Sequence, residues 1–372
     1  MVREPAGGGS SLPYVTGPSS QTRSTPLPDA RRAVGPGRVN LIGDHTDYNR
    51  GLALPMAITQ GVTVSFRPSD RPTLAITSSA FPADGEITVA LDPDRTDESL
   101  ASLEPAWARL VAAVAALARP ATGGTLTIES NLPVGSGLSS SAALAVALAE
   151  VFGVTGDPVA VARLCQRAEH RIGVPVGLMD PLVCAGGRAG HAVLIDFDTL
   201  DMRPVRVPDD AEIVVVDSGQ RRTLAASDYA ARVAECEAAA LVVGPLGRCR
   251  RDDLAALRDP VLRRRARHVV SECARVRDTA SALARDDLVG AGTLLSESHR
   301  SLADDFAVST RRLDELVADL RSRPGVLGAR MTGAGFGGCV VVLARPGSFD
   351  AEAWPTPAWR VQASDGTVST RS

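Results

Sequence analysis

The stretch Pro133-Val134-Gly135-Ser136-Gly137-Leu138-Ser139-Ser140-Ser141-Ala142 has the composition of an anion cradle. Gly135 and Gly137 let the backbone turn tightly and approach a ligand closely. Ser139, Ser140 and Ser141 then open an Ala- and Leu-rich run of helical composition. At such a start, unpaired N–H groups and the positive end of the helix dipole favour a phosphate. The serine hydroxyls can bond phosphate oxygens or sit on Mg²⁺. The plainer reading is a serine N-cap after an ordinary glycine turn. Ser140 stands where a dinucleotide fingerprint would place its third glycine, so that motif is excluded.

A second cluster runs from Gly35 to Tyr48. Between Arg38 and Asp47 it offers a fixed cation, the carboxylates of Asp44 and Asp47, and the imidazole of His45. Carboxylates accept hydrogen bonds from sugar hydroxyls, and an imidazole can donate or accept. Any one of these residues could be a turn or surface group; the cluster as a whole is harder to explain that way. The third segment, Met331-Thr332-Gly333-Ala334-Gly335-Phe336-Gly337-Gly338-Cys339, holds more glycine than a two-residue hairpin turn needs. It is expected to bring backbone close to a ligand. Asp180, in the apolar stretch Gly177-Leu178-Met179-Asp180, is a candidate general base or hydroxyl-orienting group on a loop; the alternative is a turn aspartate.

Several elements must position these groups. Val62, Val64 and Phe66 alternate with polar residues, as do Leu126 and Ile128, which predicts half-buried strands. Residues 104–118 read as a buried helix with Pro105 in its first turn. Further helices are expected near 140–151 and 158–171, and strands near 191–196 and 212–217. Residues 227–322 read as almost wholly helical, and strands return near 327–332 and 338–344. Segregated strands and helices indicate an α+β fold. Residues 1–28, rich in Gly, Ser, Pro and Thr, read as a disordered tail.

Composition narrows the chemistry. The chain has 372 residues, enough for about two domains, with a net charge of −3 and a pI near 6.0. Nothing there drives it toward nucleic acid or an anionic membrane. No apolar run suits a bilayer and the start lacks a signal-peptide core, so a cytoplasmic protein is expected. The six cysteines are scattered and read as reduced thiols rather than a zinc site or disulfide framework. All 40 Lys+Arg residues are Arg. A Walker A loop, a protein-kinase lysine and side-chain Schiff-base chemistry are therefore excluded. Any ATP must be handled by backbone amides, Arg and Mg²⁺.

Segments 37–49 (GRVNLIGDHTDYN), 133–144 (PVGSGLSSSAAL) and 331–339 (MTGAGFGGC) closely resemble, in order and spacing, the three signatures of the galactokinases, members of the GHMP small-molecule kinases. The resemblance extends over nearly everything after residue 33. It implies a two-domain GHMP kinase fold: an N-terminal ribosomal-protein-S5-domain-2-like domain at 29–200 and a C-terminal ferredoxin-like α/β domain at 201–372. The active site would lie between them. It further implies that Asp180 and Arg38 flank the anomeric hydroxyl of the sugar. Asp44, His45, Asp47, Gly177 and Tyr229 match sugar-holding positions. Gly135, Ser136, Gly137, Leu138, Ser139, Ser140 and Ser141 match the phosphate loop, and Trp107 matches a residue near the adenine. Ser140, Ser141 and Glu169 are the expected Mg²⁺ contacts. Asp44 replaces the family's usual Glu, Pro181 its usual Gln, and Leu110 a common aromatic.

The expected activity is ATP-dependent phosphorylation of D-galactose at its anomeric hydroxyl, by a monomer or small homo-oligomer with no nucleic-acid or membrane partner. Two alternatives stand beside it: a GHMP kinase for another sugar, and a catalytically silent binder of sugar and ATP.

Overall fold

The computed structural model describes residues 29–133, 137–221 and 225–371. The expected tail at 1–28 lies outside them. The chain order begins β1 (Arg31–Asn40), β2 (Leu52–Ala53), β3 (Pro55–Ser69), β4 (Thr73–Ser78) and β5 (Ile87–Ala90), then α1 (Asp97–Ala101) and α2 (Ala108–Ala118). Next come β6 (Gly123–Ser130), α3 (Ser140–Val151), α4 (Pro158–Arg171), α5 (Met179–Gly186), β7 (His191–Asp196), β8 (Asp201–Arg206) and β9 (Glu212–Asp217). A helical block follows: α6 (Ala225–Val243), α7 (Pro260–Ala284), α8 (Leu288–Asp304) and α9 (Arg311–Arg321). The last strands are β10 (Val326–Thr332), β11 (Cys339–Ala344), β12 (Ala358–Val361) and β13 (Val368–Arg371).

A six-stranded sheet has the order β13-β1-β3-β6-β4-β5, a four-stranded sheet the order β10-β11-β9-β12, and a three-stranded sheet the order β2-β7-β8. The alternation of Val64 and Phe66 with polar residues works as a ladder: they face Ile128 and Leu126 of β6 across an antiparallel pair, all four buried. α3 packs on this sheet through a buried alanine-rich surface, and small side chains let it lie close to the strands; a Cβ on Gly35 of β1 would strike the Ala143 carbonyl. The β7–β8 hairpin crosses the expected boundary at 200/201, and the chain ends by returning β13 to the edge of the sheet that holds β1. Pro105 falls in a turn before α2, its carbonyl accepting the Ala108 N–H, so the helix starts three residues beyond it. Among the described residues no helix is long and apolar enough to cross a membrane, and Cys165, Cys184, Cys236, Cys249 and Cys273 are free thiols.

Candidate active site

Arg38 lies near the end of β1, where its strand runs against the serine loop. Its backbone N–H donates to the Leu138 carbonyl at 3.1 Å. Gly37 makes this approach possible, since a Cβ there would meet the Leu138 carbonyl and the Leu132 side chain. The guanidinium donates through Nη1 to the Gly137 carbonyl at 2.7 Å. It forks onto Asp180, with Nε to Oδ1 at 2.7 Å and Nη2 to Oδ2 at 2.6 Å. Burial works against the Arg38 charge, but the facing Asp180 carboxylate outweighs it and raises the pKa further. The Ser139 hydroxyl also donates to Asp180 Oδ2. Asp180 is not on a loop: it sits in the first turn of α5, just before Pro181, where a proline is tolerated because its missing N–H would have had no helical partner. Two segments distant in sequence, β1 and the serine loop, thus converge on the Asp180 carboxylate.

Beside them opens a cavity of about 470 Å³, lined in part by Asp47, Tyr48, Arg163, His170, Gly177 and Tyr229. This is the size of a small-molecule site. Gly177 lies against the Asp47 carboxylate so closely that a Cβ would overlap it. The loop carrying Gly177 is held by α4, whose Gln166 and His170 both reach the Val176 carbonyl, at 3.1 and 3.0 Å. Burial, reinforced by Asp180 and Asp44 nearby, pushes the Asp47 carboxyl up to about 6. His45, with a left-handed backbone (φ 63°), contacts the Tyr48 hydroxyl through Nδ1 at 3.0 Å and packs on Phe306. Burial, with His268 and Arg330 nearby, lowers it to about 3, so its imidazole is neutral near pH 7. Tyr229 from α6 stands 5.8 Å from both the His45 and Tyr48 rings. A larger recess of about 600 Å³ over α7 and α8 has Arg251, Arg267, Arg300 and Asp304 in its wall. None of the signature residues lines it, whereas Asp47 and Tyr48 line the smaller cavity.

Asp44 points elsewhere. It is buried and ion-paired with the fully buried Arg330 of β10, and its Oδ1 accepts the Gly333 N–H at 3.0 Å. The glycine-rich loop after β10 therefore brings its backbone close to protein: Asp44, Val308 and Gln220 occupy the space that Cβ atoms or side chains would need. Trp107 precedes α2, stacks on Phe81 at 5.5 Å with the ring planes 5° apart, and donates to Asp84 at 2.8 Å. Leu110, where an aromatic is common, is buried in the core. Gly135 and Ser136 lie outside the described residues.

Glu169 of α4 is 1% exposed, and its Oε1 has no hydrogen-bond partner while the Ser141 side chain bonds the carboxylate. Burial raises its pKa. Among the described residues no three His, Cys, Asp or Glu side chains could hold a metal by themselves. Mg²⁺ commonly takes one or two carboxylates and completes its shell with phosphate oxygens and water. Glu169 with Ser141 and Ser140 at the start of α3 fits such a role.

Residues that sequence reading left unassigned include Arg330, Glu272, Gln166, His170 and Phe81. Arg330 had a signal, a charge inside an otherwise apolar strand. Glu272 had one too, sharing a helical stripe with His268 and Val276 on α7.

Comparison with known proteins identifies the family. Residues 25–68 match the galactokinase galactose-binding signature, 108–188 the GHMP kinases N terminal domain and 279–354 the GHMP kinases C terminal. The chain is 44% identical to a galactokinase of Mycobacterium tuberculosis over 321 residues, covering 83% of this chain and 87% of that protein. It is 39% identical to the Homo sapiens galactokinase over 348 residues, covering 90% and 88%. The crystal structure of Lactococcus lactis galactokinase complexed with galactose superposes with a TM-score of 0.82 at 30% identity, covering 91% of this chain and 95% of that one. A mevalonate kinase at 16% identity shares the fold, with a TM-score of 0.61. At 39–44% identity over most of its length to galactokinases, and with the galactokinase signature and both GHMP domains matched, the chain belongs to the galactokinase family of the GHMP kinases.

Proposed function

We propose that this chain transfers the γ-phosphoryl group of ATP to the anomeric hydroxyl of D-galactose, giving α-D-galactose 1-phosphate and ADP. The observation that carries this reading is the forked Arg38–Asp180 pair at the mouth of α3, beside the Asp47–Tyr229 cavity. Asp180 accepts or orients the proton of the anomeric hydroxyl, whose oxygen attacks the γ-phosphorus while the bond to the β,γ-bridging oxygen breaks. Arg38 keeps Asp180 in place and balances charge on the transferring group. The N–H groups and hydroxyls opening α3 receive the phosphates. Mg²⁺, when bound with ATP, neutralises charge on the β- and γ-phosphates. Asp47, His45, Tyr229 and the Gly177 backbone hold the sugar hydroxyls, and Trp107 with Phe81 stands near the adenine.

The support is chemical as well as familial: phosphoryl transfer asks for positioning and electrostatics, which an all-arginine chain can supply. The test is ADP release and product analysis with ATP, Mg²⁺ and a panel of free sugars. Galactose is expected to be the best acceptor, with kcat falling about 10²–10⁴-fold in Asp180→Asn. Faster turnover of another aldose would move the protein to that specificity. ATP binding without turnover on any sugar would make it a binder instead.

A further inference from the structure

Segment 40–44, which leads from Arg38 into the sugar-holding residues, is held locally by Leu54 and Thr46, through the Leu41 N–H and the Ile42 and Gly43 carbonyls, and its other polar groups are gripped from the far end of the chain. The Asn40 carbonyl accepts the Thr332 hydroxyl at 2.9 Å, and the Leu41 carbonyl accepts Arg330 Nη1 at 3.0 Å. The Gly43 N–H donates to Glu272 at 3.1 Å. The Asp44 carbonyl faces His268 Nε2 at 3.2 Å, while its carboxylate takes Arg330 and the Gly333 N–H. Glu272 is itself fixed by Arg275 at 2.8 Å and by the Ser298 hydroxyl. Arg330, Glu272 and His268 are fully buried, and Asp44 and Gly43 nearly so. Two carboxylates and two guanidiniums balance, and each carboxylate has more than one donor, as buried charges require.

We infer that Arg330, Glu272 and Asp44 form a positioning truss for the sugar loop, and that Asp44 acts on the substrate through this truss rather than by touching it. The truss rests on the reading of the cavity as the sugar site. Its geometry supplies the reason for an aspartate at 44: with Oδ1 on Gly333 and Oδ2 on Arg330, both oxygens are spent, and a longer side chain would have to displace a buried guanidinium. Held this way, His45 and Asp47 inherit fixed positions, and a displacement near 1 Å at a reacting centre costs on the order of 10²-fold in rate.

The experiment has two arms. In the first, hydrogen exchange on folded Glu272→Gln and Asp44→Asn should show amides 41–49 losing protection while the β3 and β6 amides keep theirs. This arm needs no catalysis, so it stands even if galactose is not the substrate. In the second, the galactose KM should rise about tenfold in Asp44→Asn and in Arg330→Gln, with the ATP KM within about twofold and the double variant no worse than the poorer single one. Across the 2-, 3-, 4- and 6-deoxygalactoses the Asp44→Asn penalty should be uniform. A penalty that disappears for one deoxy sugar would show Asp44 touching that hydroxyl and overturn the inference. So would unchanged protection of 41–49 in Glu272→Gln. Should Arg330→Gln fail to fold, Glu272→Gln and Asp44→Asn decide the question.

Discussion

Asp47 and Asp180 are two carboxylates in one site with different settings. Asp180 is engaged by a guanidinium and a hydroxyl, whereas Asp47 is half-buried beside Gly177 and pushed up to about 6. If Asp47 accepts hydrogen bonds from the sugar, kcat/KM for galactose should fall as pH drops through about 6, because the protonated form loses acceptor capacity. A profile from pH 5 to 8 checks this, and a flat acid limb would remove Asp47 from sugar binding. The same shift has a stability sign. A carboxyl raised above its unfolded value, near 3.9, binds its proton more tightly in the fold. The ionised form therefore destabilises the fold fully above pH 6, and this effect vanishes below about 4. Asp47→Asn should accordingly melt higher than wild type at pH 7.5 while losing activity, and the gap should close toward pH 4. Arg38, His45 and Asp47 stood out in the sequence because polar residue types cluster between 38 and 47, whereas Asp180, 142 residues beyond Arg38, was singled out by its apolar, glycine-containing surroundings. The partner of Asp44 was not: it lies 286 residues away, and no local pattern encodes that pairing.

α3, α4, β7 and β9 fall at the expected bounds, because each is a compact apolar run bounded by polar or glycine-rich sequence; α3 and β9 are buried nearly throughout. The apolar, glycine-containing stretch 177–180 suggests a loop at Asp180, yet a helix begins at Met179 and tolerates Pro181 in its first turn. β1 meets the serine loop at Gly37, beside a register shift at Pro36/Gly37. Gly37→Ala should force the Leu138 carbonyl away. The expected result is a loss of about 1–3 kcal/mol in stability and a raised KM for ATP, read by thermal melting and initial rates. An unchanged ATP KM would mean that the serine loop does not depend on this contact.

Across the whole molecule, the six-stranded sheet is finished by its last strand. β13 pairs with Arg31–Val34 of β1, and just before it the Thr367 N–H and hydroxyl both reach the Cys184 carbonyl of α5, the helix that carries Asp180. Deleting residues 366–372 leaves β1 as an edge strand. It should lower Tm by a few degrees, as expected for about 2 kcal/mol of lost hydrogen bonding in a chain of this size. Scanning fluorimetry checks it, and an unchanged Tm would show β13 to be an ornament of the sheet. No sequence pattern announced this closure, because a four-residue strand has little period to read.

The truss across segment 40–44 also sets a schedule. Asp44 leaves the ribosome 289 residues before Gly333, a delay of roughly 15–60 s at about 5–20 residues per second. For most of that interval the sugar loop has neither Arg330 nor Glu272 to hold it, Glu272 following Gly43 by 229 residues. The nascent chain can build the β1–β3–β6 ladder early, but it cannot own a working sugar site until nearly all of it has been made. Capacity to bind sugar is thus a late event in synthesis, and a chain cut short before β10 has the signature residues without the means to aim them.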